Sequence, residues 1–315
     1  MEFIRGLQGL RDRHRGAAIT IGSFDGIHLG HGALIASTCG IAKQLARPAM
    51  MLTFEPLPRE YLVPQDPPAR LTDFRERMRL LERSDLHCAC VLRFDSKLRS
   101  LSGEEFVGLL TDRFQASAVV VGQDFRFGRG GAGSIGLLRA AAEAGRFALE
   151  LVPSVCIDET RVSSSGVRAA LAASDFAKAR DLLGRVYSMR GRVVRGEQLG
   201  RRLGYPTANI RMRRRRLPLS GIFAVRVRGV DTDNTHTARD AVASLGVRPT
   251  VDGTVPLLEV NVFDWSGDLY GRELDVEFVA KIRDEEKFEN LDALVAQMHR
   301  DAAEARRRLA GAAHV

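Results

Sequence analysis

Two stretches of this 315-residue chain combine glycines with side chains suited to phosphate. The first is Gly22-Ser23-Phe24-Asp25-Gly26-Ile27-His28-Leu29-Gly30-His31. Its glycines permit a tight turn and a close backbone approach to a ligand. A helix opening here would aim unpaired N–H groups and a positive dipole end at an anion. His28 and His31 stand three apart, so at a helix start they share a face and could both donate to a triphosphate. Zinc suits them less, because no third ligand is adjacent. The plainer alternative is two surface histidines in a turn. The second stretch runs from Gly191 to Asn209, with Gly191, Gly196, Gly200 and Gly204 set among basic residues including Arg201. Such backbone can wrap phosphates, though its order and flanks match neither a Walker A loop nor a dinucleotide fingerprint. Thr207 and Asn209 offer oxygens two residues apart, suited to Mg²⁺ and its nucleotide.

The elements around these stretches change character midway. Apolar runs at 17–22, 49–54, 88–94, 118–122 and 147–152 alternate with helical patterns at 30–46, 73–83, 103–114 and 134–145. Continuous apolar strands between helices predict an α/β unit, a doubly wound parallel sheet covered on both faces. Two short helices are expected at 166–173 and 175–183. From Tyr187 short β-rich runs at 190–194, 222–227, 257–263 and 274–282 predict a small antiparallel barrel or sandwich. A helix over 290–310 closes the chain, with Leu291, Leu294, Met298, Ala302 and Ala305 on one side. The rhythm puts the boundary near Leu183–Val186, giving domains 1–185 and 186–315.

Charge and cysteine usage narrow the partners. The net charge of +8 favours acidic partners such as phosphorylated small molecules, nucleic acid or anionic lipid. The densest run, Arg211-Met212-Arg213-Arg214-Arg215-Arg216, reads as a solvated loop between strands or as a nucleic-acid patch. Cys88 and Cys90 alternate on one strand face and read as buried free thiols, with no second Cys/His pair at zinc spacing. No run of about 18 apolar residues suggests a membrane span. The N-terminus lacks a signal-peptide pattern, which leads us to expect a cytoplasmic protein.

Three further segments follow predicted strands in the first half: Thr53-Phe54-Glu55-Pro56-Leu57-Pro58, Gly122-Gln123-Asp124-Phe125-Arg126-Phe127-Gly128 and Val162-Ser163-Ser164-Ser165-Gly166-Val167-Arg168. With the His28/His31 segment they resemble the HxGH-type nucleotidyltransferases, in the branch that adenylylates FMN. The corresponding patterns there are TFxPHP, GxDFRFG and (I/V)SSTxIR. The chain differs at Leu57, where family members usually carry histidine, at Ser165 for threonine and at Ser23, where asparagine is common. The Gly191–Asn209 stretch resembles the GxxxxGxxxGRxLGxPTAN signature of riboflavin kinases. Gly221-Ile222-Phe223-Ala224-Val225, Ser244-Leu245-Gly246-Val247-Arg248-Pro249-Thr250 and Glu259-Val260-Asn261-Val262-Phe263-Asp264 resemble that family's later strands. The glutamate is often followed there by Ser or Ala and then His.

Together the resemblances cover roughly residues 15–310 and imply a bifunctional riboflavin kinase/FMN adenylyltransferase of the bacterial type. The implied fold is an N-terminal nucleotidyltransferase domain followed by a small antiparallel β-barrel kinase domain with a C-terminal helix. ATP would be co-substrate in both reactions, riboflavin and FMN the other partners, and Mg²⁺ the cofactor. Implied for adenylylation are His28 and His31 as catalytic groups, with Gly22, Phe24, Asp25, Gly26, Gly30, Ser163, Ser164, Ser165 and Arg168 around ATP phosphates. Asp124, Phe125, Arg126 and Phe127 would meet the flavin. For the kinase, Glu259 would be the base, Thr207 and Asn209 would hold the metal, and Gly191, Gly196, Gly200, Arg201, Gly204 and Pro206 would bind ATP. On periodicity alone Glu259 also fits an outward-facing strand residue. Two alternatives stand beside this reading: a monofunctional kinase with an impaired adenylylating domain, motivated by Leu57, and a nucleic-acid-binding or regulatory protein on a degenerate enzyme fold. The second lacks any nucleic-acid-reading motif and has only 6% aromatic residues, few for base stacking.

Overall fold

The computed structural model describes residues 1–196, 200, 203–231, 237–250 and 253–311. They form two compact units: Met1–Pro68 with Arg77–Ser163, and Ala69–Glu76 with Ser164–Val315.

The first unit contains strands β1 (Glu2–Arg5), β2 (Ala18–Ile21), β3 (Ala49–Glu55), β4 (Cys88–Arg93), β5 (Ala118–Gly122) and β6 (Ala148–Val152). All pair in parallel, in the order β1-β4-β3-β2-β5-β6. A two-stranded hairpin, β7 (Cys156–Ile157) with β8 (Thr160–Arg161), stands apart from this sheet. The period-2 pattern sorts the strand residues between two faces. Ala18, Ala49, Ala89 and Ala118 share one face with α1 (Leu29–Gln44) residues Ile35 and Ala42. Methyl-sized side chains there let the helix lie close against the sheet. The other face carries Ile19, Met50, Leu52, Cys90, Val119 and Val121. Against it pack Phe106 and Val107 of α5 (Gly103–Gly108) and Leu138 of α6 (Ile135–Glu143). The short helices α2 (Pro58–Leu62) and α4 (Ser96–Ser100) follow β3 and β4. The doubly wound parallel sheet expected from the alternation is therefore present. Strand β1 adds an edge that the apolar pattern does not announce, because Glu2-Phe3-Ile4-Arg5 buries one residue of four. Cys88 and Cys90 are both buried, and burial pushes each thiol up to about 12, as inert core residues require.

In the second unit β9 (Ser188–Val194), β10 (Ala208–Arg211), β11 (Gly221–Arg228), β12 (Ala238–Thr250), β13 (Gly253–Val262) and β14 (Glu273–Arg283) close into an antiparallel barrel. Between barrel and sandwich, closure decides for the barrel. Cross-strand pairs Leu245–Leu258 and Ala243–Val260 are buried on the inner face. Helix α9 (Leu291–Gly311) packs outside, where Ala305 and Leu309 meet Val242 and Ala224. Two more helices belong to this unit, α7 (Ser164–Ala172) and α8 (Phe176–Leu183). Phe176 of α8 sits edge-on to Phe223 and parallel to Phe278.

Candidate active sites

In the first unit, strand order fixes where chemistry can occur. The connection from β2 runs to β3 on one side, while β5 on its other side leads on to β6. Strands diverging in this way leave a crevice at their C-terminal ends, where open α/β sheets bind ligands. The Gly22–His31 segment leaves β2 at that point, and Gly122–Gly128 leaves β5.

The turn after β2 holds unusual backbone. Phe24 (φ 50°), Gly26 (φ 86°) and Ile27 (φ 43°) all adopt positive φ, a costly choice for Phe and Ile. It delivers His28 to the N-cap of α1, where its Nδ1 accepts from His31 N–H at 3.3 Å. A neutral imidazole accepting through Nδ1 carries its proton on Nε2 and so presents a donor. The His28 and His31 rings stack at 3.7 Å between centroids, and the Phe24 ring lies 4.9 Å from that of His31. Gly30 leaves room for this packing: a Cβ there would sit a tight 3.2 Å from the His28 ring and 3.5 Å from the Val162 carbonyl. Gly22 similarly faces the Phe24 ring, 3.2 Å from where a Cβ would stand. Asp25 is 2% exposed.

The structure thus brings together Gly22, Phe24, Asp25, Gly26, His28, Gly30 and His31, with Val162–Ser163 beside the helix start. Ser164, Ser165 and Arg168 begin α7, in the second unit. Arg168 Nε donates to Ala69 O at 2.6 Å there. After β5, Asp124 and Arg126 are exposed, and Asp124 pairs with Arg161 of β8. Phe127 is 7% exposed and belongs to the core, with Phe125 stacked on it at 5.6 Å. Of the two rings, Phe125 has the greater access. Leu57 is 5% exposed and precedes α2, its N–H donating to Glu60 at 3.1 Å.

Arg77 was not marked by its sequence context. It lies in α3 (Phe74–Leu81) and is 1% exposed. Nη1 donates to Ser23 O at 2.7 Å, and Nη2 donates to Glu55 at 2.9 Å and Phe54 O at 3.4 Å.

In the barrel, register aligns the candidate kinase residues. Asn209 of β10 lies opposite Glu259 of β13, which lies opposite Ser244 of β12. Directly paired residues point to the same face. Val242, two residues before Ser244, packs against α9, so this row faces outward toward the helix. Two cavities meet along it. One, of about 310 Å³, is lined by Thr207 and Asn209 together with Val193, Val260, Trp265 and Tyr270. The other, of about 360 Å³, is lined by Glu259, Ser244, Thr207 and Arg283, with Leu294 and Met298 of α9. Thr207 borders both. The glycines press close to the same side chains. A Cβ on Gly196 would lie 2.5 Å from Asn209 Nδ2, and one on Gly200 would lie 2.3 Å from Tyr205 O and 3.2 Å from Thr207 Oγ1. Gly204 turns the loop at φ 83°. Pro206 is held through its carbonyl, which accepts from Asn261 Nδ2 at 2.8 Å. Tyr205 meets His299 of α9 through its hydroxyl.

Gly191 differs from the reading that grouped it with the phosphate loop. It lies inside β9, where a Cβ would collide with Ile210 at 2.6 Å and Arg211 O at 2.8 Å. The absent side chain serves strand packing. Arg201 lies outside the described residues.

The arginine run also departs from expectation. Arg211, Arg213, Arg215 and Arg216 are exposed, as a solvated loop requires, but Arg214 is 4% exposed. It donates to Glu76 at 2.5 Å, Leu71 O at 3.0 Å and Arg70 O at 3.2 Å. Glu76 also accepts from Asp73 N–H and Arg190 N–H, each at 2.6 Å. Burial pushes the Glu76 carboxyl up to about 7, against the pull of the Arg214 guanidinium. Tyr187 donates to Leu71 O at 3.0 Å. Residues 69–76 are thereby stitched to the barrel.

Fold and site together define a protein with two phosphate-handling units, one a parallel-sheet nucleotidyltransferase type and the other a barrel of kinase type. Residues 10–166 match the FAD synthetase family, and residues 183–309 match the riboflavin kinase family. The bifunctional riboflavin kinase/FMN adenylyltransferase of Pseudomonas fluorescens is 43% identical over all of both chains. The protein of that description from Haemophilus influenzae is 38% identical, covering 97% of this chain and 98% of its own. A crystal structure described as a macrolide-efflux protein from Streptococcus pneumoniae matches with a TM-score of 0.79 at 29% identity, over 97% of this chain and 99% of the other. The chain belongs to the bifunctional riboflavin kinase/FMN adenylyltransferase family. Among the described residues, no helix is long and apolar enough to cross a membrane.

Proposed function

We propose that this enzyme phosphorylates riboflavin to FMN in the barrel and adenylylates FMN to FAD, releasing pyrophosphate, in the parallel-sheet domain. ATP is the co-substrate of both steps. The activities divide near Leu183–Val186, with residues 1–185 serving adenylylation and 186–315 the kinase. The observation that carries the kinase assignment is the Asn209–Glu259–Ser244 row, set where two cavities meet at Thr207.

In the kinase step Glu259 accepts the proton of the ribityl 5′-hydroxyl as that oxygen attacks the γ-phosphorus of ATP. ADP leaves with the electrons of the broken β,γ-bridging bond. Thr207 and Asn209 fit Mg²⁺: both are oxygen donors, and the Gly196 and Gly200 backbones crowd their side chains where a Cβ would intrude. No group of three or more His, Cys, Asp or Glu that could hold a metal is found among the described residues. When bound, Mg²⁺ supplies neutralisation of phosphate charge. Gly196, Gly200, Gly204 and Pro206 shape the loop around the phosphates.

For adenylylation, the FMN phosphate attacks the α-phosphorus of ATP, and His28 and His31 stabilise the charge that builds there. Positioning and charge complementarity carry this step. The α1 N-terminus, with Ser163 beside it, receives phosphate. Phe125 packs on the flavin, while Asp124 and Arg126 orient its polar groups. A cytoplasmic location, where ATP is at hand, accords with the use of ATP at both centres.

An HPLC time course with purified protein, riboflavin, excess ATP and Mg²⁺ tests the proposal. FMN should rise and then give way to FAD. FMN that accumulates without FAD removes the adenylylation step, and absence of both products removes the whole assignment.

A further inference from the structure

We infer that Arg77 is a positioning residue for the adenylylation site, locking the turn that carries His28 to the end of the neighbouring strand. This rests on the adenylylation reading above.

The chain after β2 must leave the sheet and reach the α1 N-cap within a few residues. It does so through positive φ at Phe24, Gly26 and Ile27. Backbone of that kind persists where its surroundings over-determine it. The Ser23 carbonyl stands at the entrance of the turn. It accepts from Arg77 Nη1 at 2.7 Å and from Thr53 Oγ1 at 3.3 Å. The same guanidinium reaches the end of β3 through the Phe54 carbonyl and the Glu55 carboxylate. One planar cation therefore joins two adjacent strand ends, those bearing the His28/His31 segment and the Thr53–Pro58 segment.

Full burial of an arginine demands such partners, since an unpaired charge away from water is costly. Arg77 is 1% exposed and bonds the Ser23 and Phe54 carbonyls and the Glu55 carboxylate, so through these bonds it acts on the loop. A lysine offers a charge but lacks the fork of donors that binds two strands at once. Methionine fills a similar volume and makes none of the bonds. A turn released from Ser23 lets the His28 and His31 rings drift from the α-phosphate. A misplacement near 1 Å costs about 100-fold in rate. Because the histidines act on charge that develops during reaction, the loss belongs in kcat.

The test uses full-length protein with the substitutions Arg77→Met and Arg77→Lys, assayed with FMN, ATP and Mg²⁺ for FAD. Riboflavin phosphorylation by each variant is measured alongside. We expect kcat for FAD formation to fall by about 100-fold in Arg77→Met, with KM for ATP and FMN within about 3-fold of wild type and kinase activity unchanged. Arg77→Lys should lie between, near 10-fold down, since one amine recovers part of the bonding. If Arg77→Met fails to fold, the Arg77→Lys kcat decides alone, a normal value overturning the inference. Near-normal kcat in Arg77→Met, or a loss expressed in KM, also overturns it. A wild-type protein that makes no FAD overturns the adenylylation reading instead.

Discussion

Replacing Gly196 with alanine isolates one contact in the kinase site. Gly196 does not occupy the positive-φ region, so an alanine accepts its backbone and the perturbation is steric. The new Cβ would stand 2.5 Å from Asn209 Nδ2 and 2.7 Å from its Cγ. Ordinary contact begins near 3.4 Å, so either the amide or the loop must retreat by about 0.9 Å. Asn209 is 8% exposed and cannot escape into solvent. A displacement of that size at a group that positions reactants costs about 100-fold in rate, which corresponds to about 2.7 kcal/mol of barrier. The assay is riboflavin phosphorylation measured across a Mg²⁺ titration. We expect kcat/KM to drop by about 30- to 100-fold and half-saturation to move to higher Mg²⁺. FAD formation from supplied FMN should be untouched. A variant whose kinase activity stays within about 3-fold of wild type, with the same Mg²⁺ dependence, would refute the idea that Gly196 holds Asn209 in place.

Glu259→Gln retains shape but loses the proton acceptor, so riboflavin phosphorylation should fall by about 100- to 10,000-fold while FMN adenylylation persists; normal FMN production would sink the assignment of Glu259. Arg214→Met leaves the Glu76 carboxylate buried without its cation and should destabilise the second unit by about 3–5 kcal/mol, read as a lowered melting point in the fluorescence of Trp265, the single tryptophan; an unchanged melt would show the pair to be dispensable. Glu76 also makes a pH prediction. Its folded pKa of about 7 lies above the reference value of 4.5, so the fold binds this proton more tightly than the unfolded chain. The group's contribution is greatest below about pH 4.5 and is lost as pH rises toward 7. Comparing Trp265 melts of wild type and Glu76→Gln across that range should show the wild type losing ground as pH increases, and parallel curves would dismiss the effect.

The parts legible in the sequence share a property: their signal is local. The alternation of apolar strands and helices predicts the parallel sheet because its central strands, β2 to β5, bury both faces. The Gly22–His31 segment is readable because its turn, cap and histidines are consecutive. Asn209 and Glu259 are fifty residues apart in the chain, and their alignment depends on barrel register that no local pattern fixes. The resemblance located each of them; the pairing came from the fold. Gly191 shows a different limit of local reading. A glycine in a glycine-rich stretch reads as phosphate loop, whereas its contact is with Ile210 on a neighbouring strand.

The buried arginines were the hardest to foresee, and for a shared reason. A charged residue advertises exposure, and only knowledge of which carbonyls surround it reverses that presumption. Arg77 binds carbonyls contributed by Ser23 and Phe54, and Arg214 binds those of Arg70 and Leu71. These partners lie from 23 to 144 residues away. Yet the arginine run did contain a clue. Ile210, Met212 and Arg214 are buried while Arg211, Arg213 and Arg215 are exposed, so the inward parity of β10 continues past the end of the strand. Reading 211–216 by charge alone hid that alternation; reading it by period would have set Arg214 among the buried positions and required a carboxylate or carbonyls to receive it. For a chain this rich in arginine, period is therefore the better guide to which cations serve the fold and which remain available to solvent.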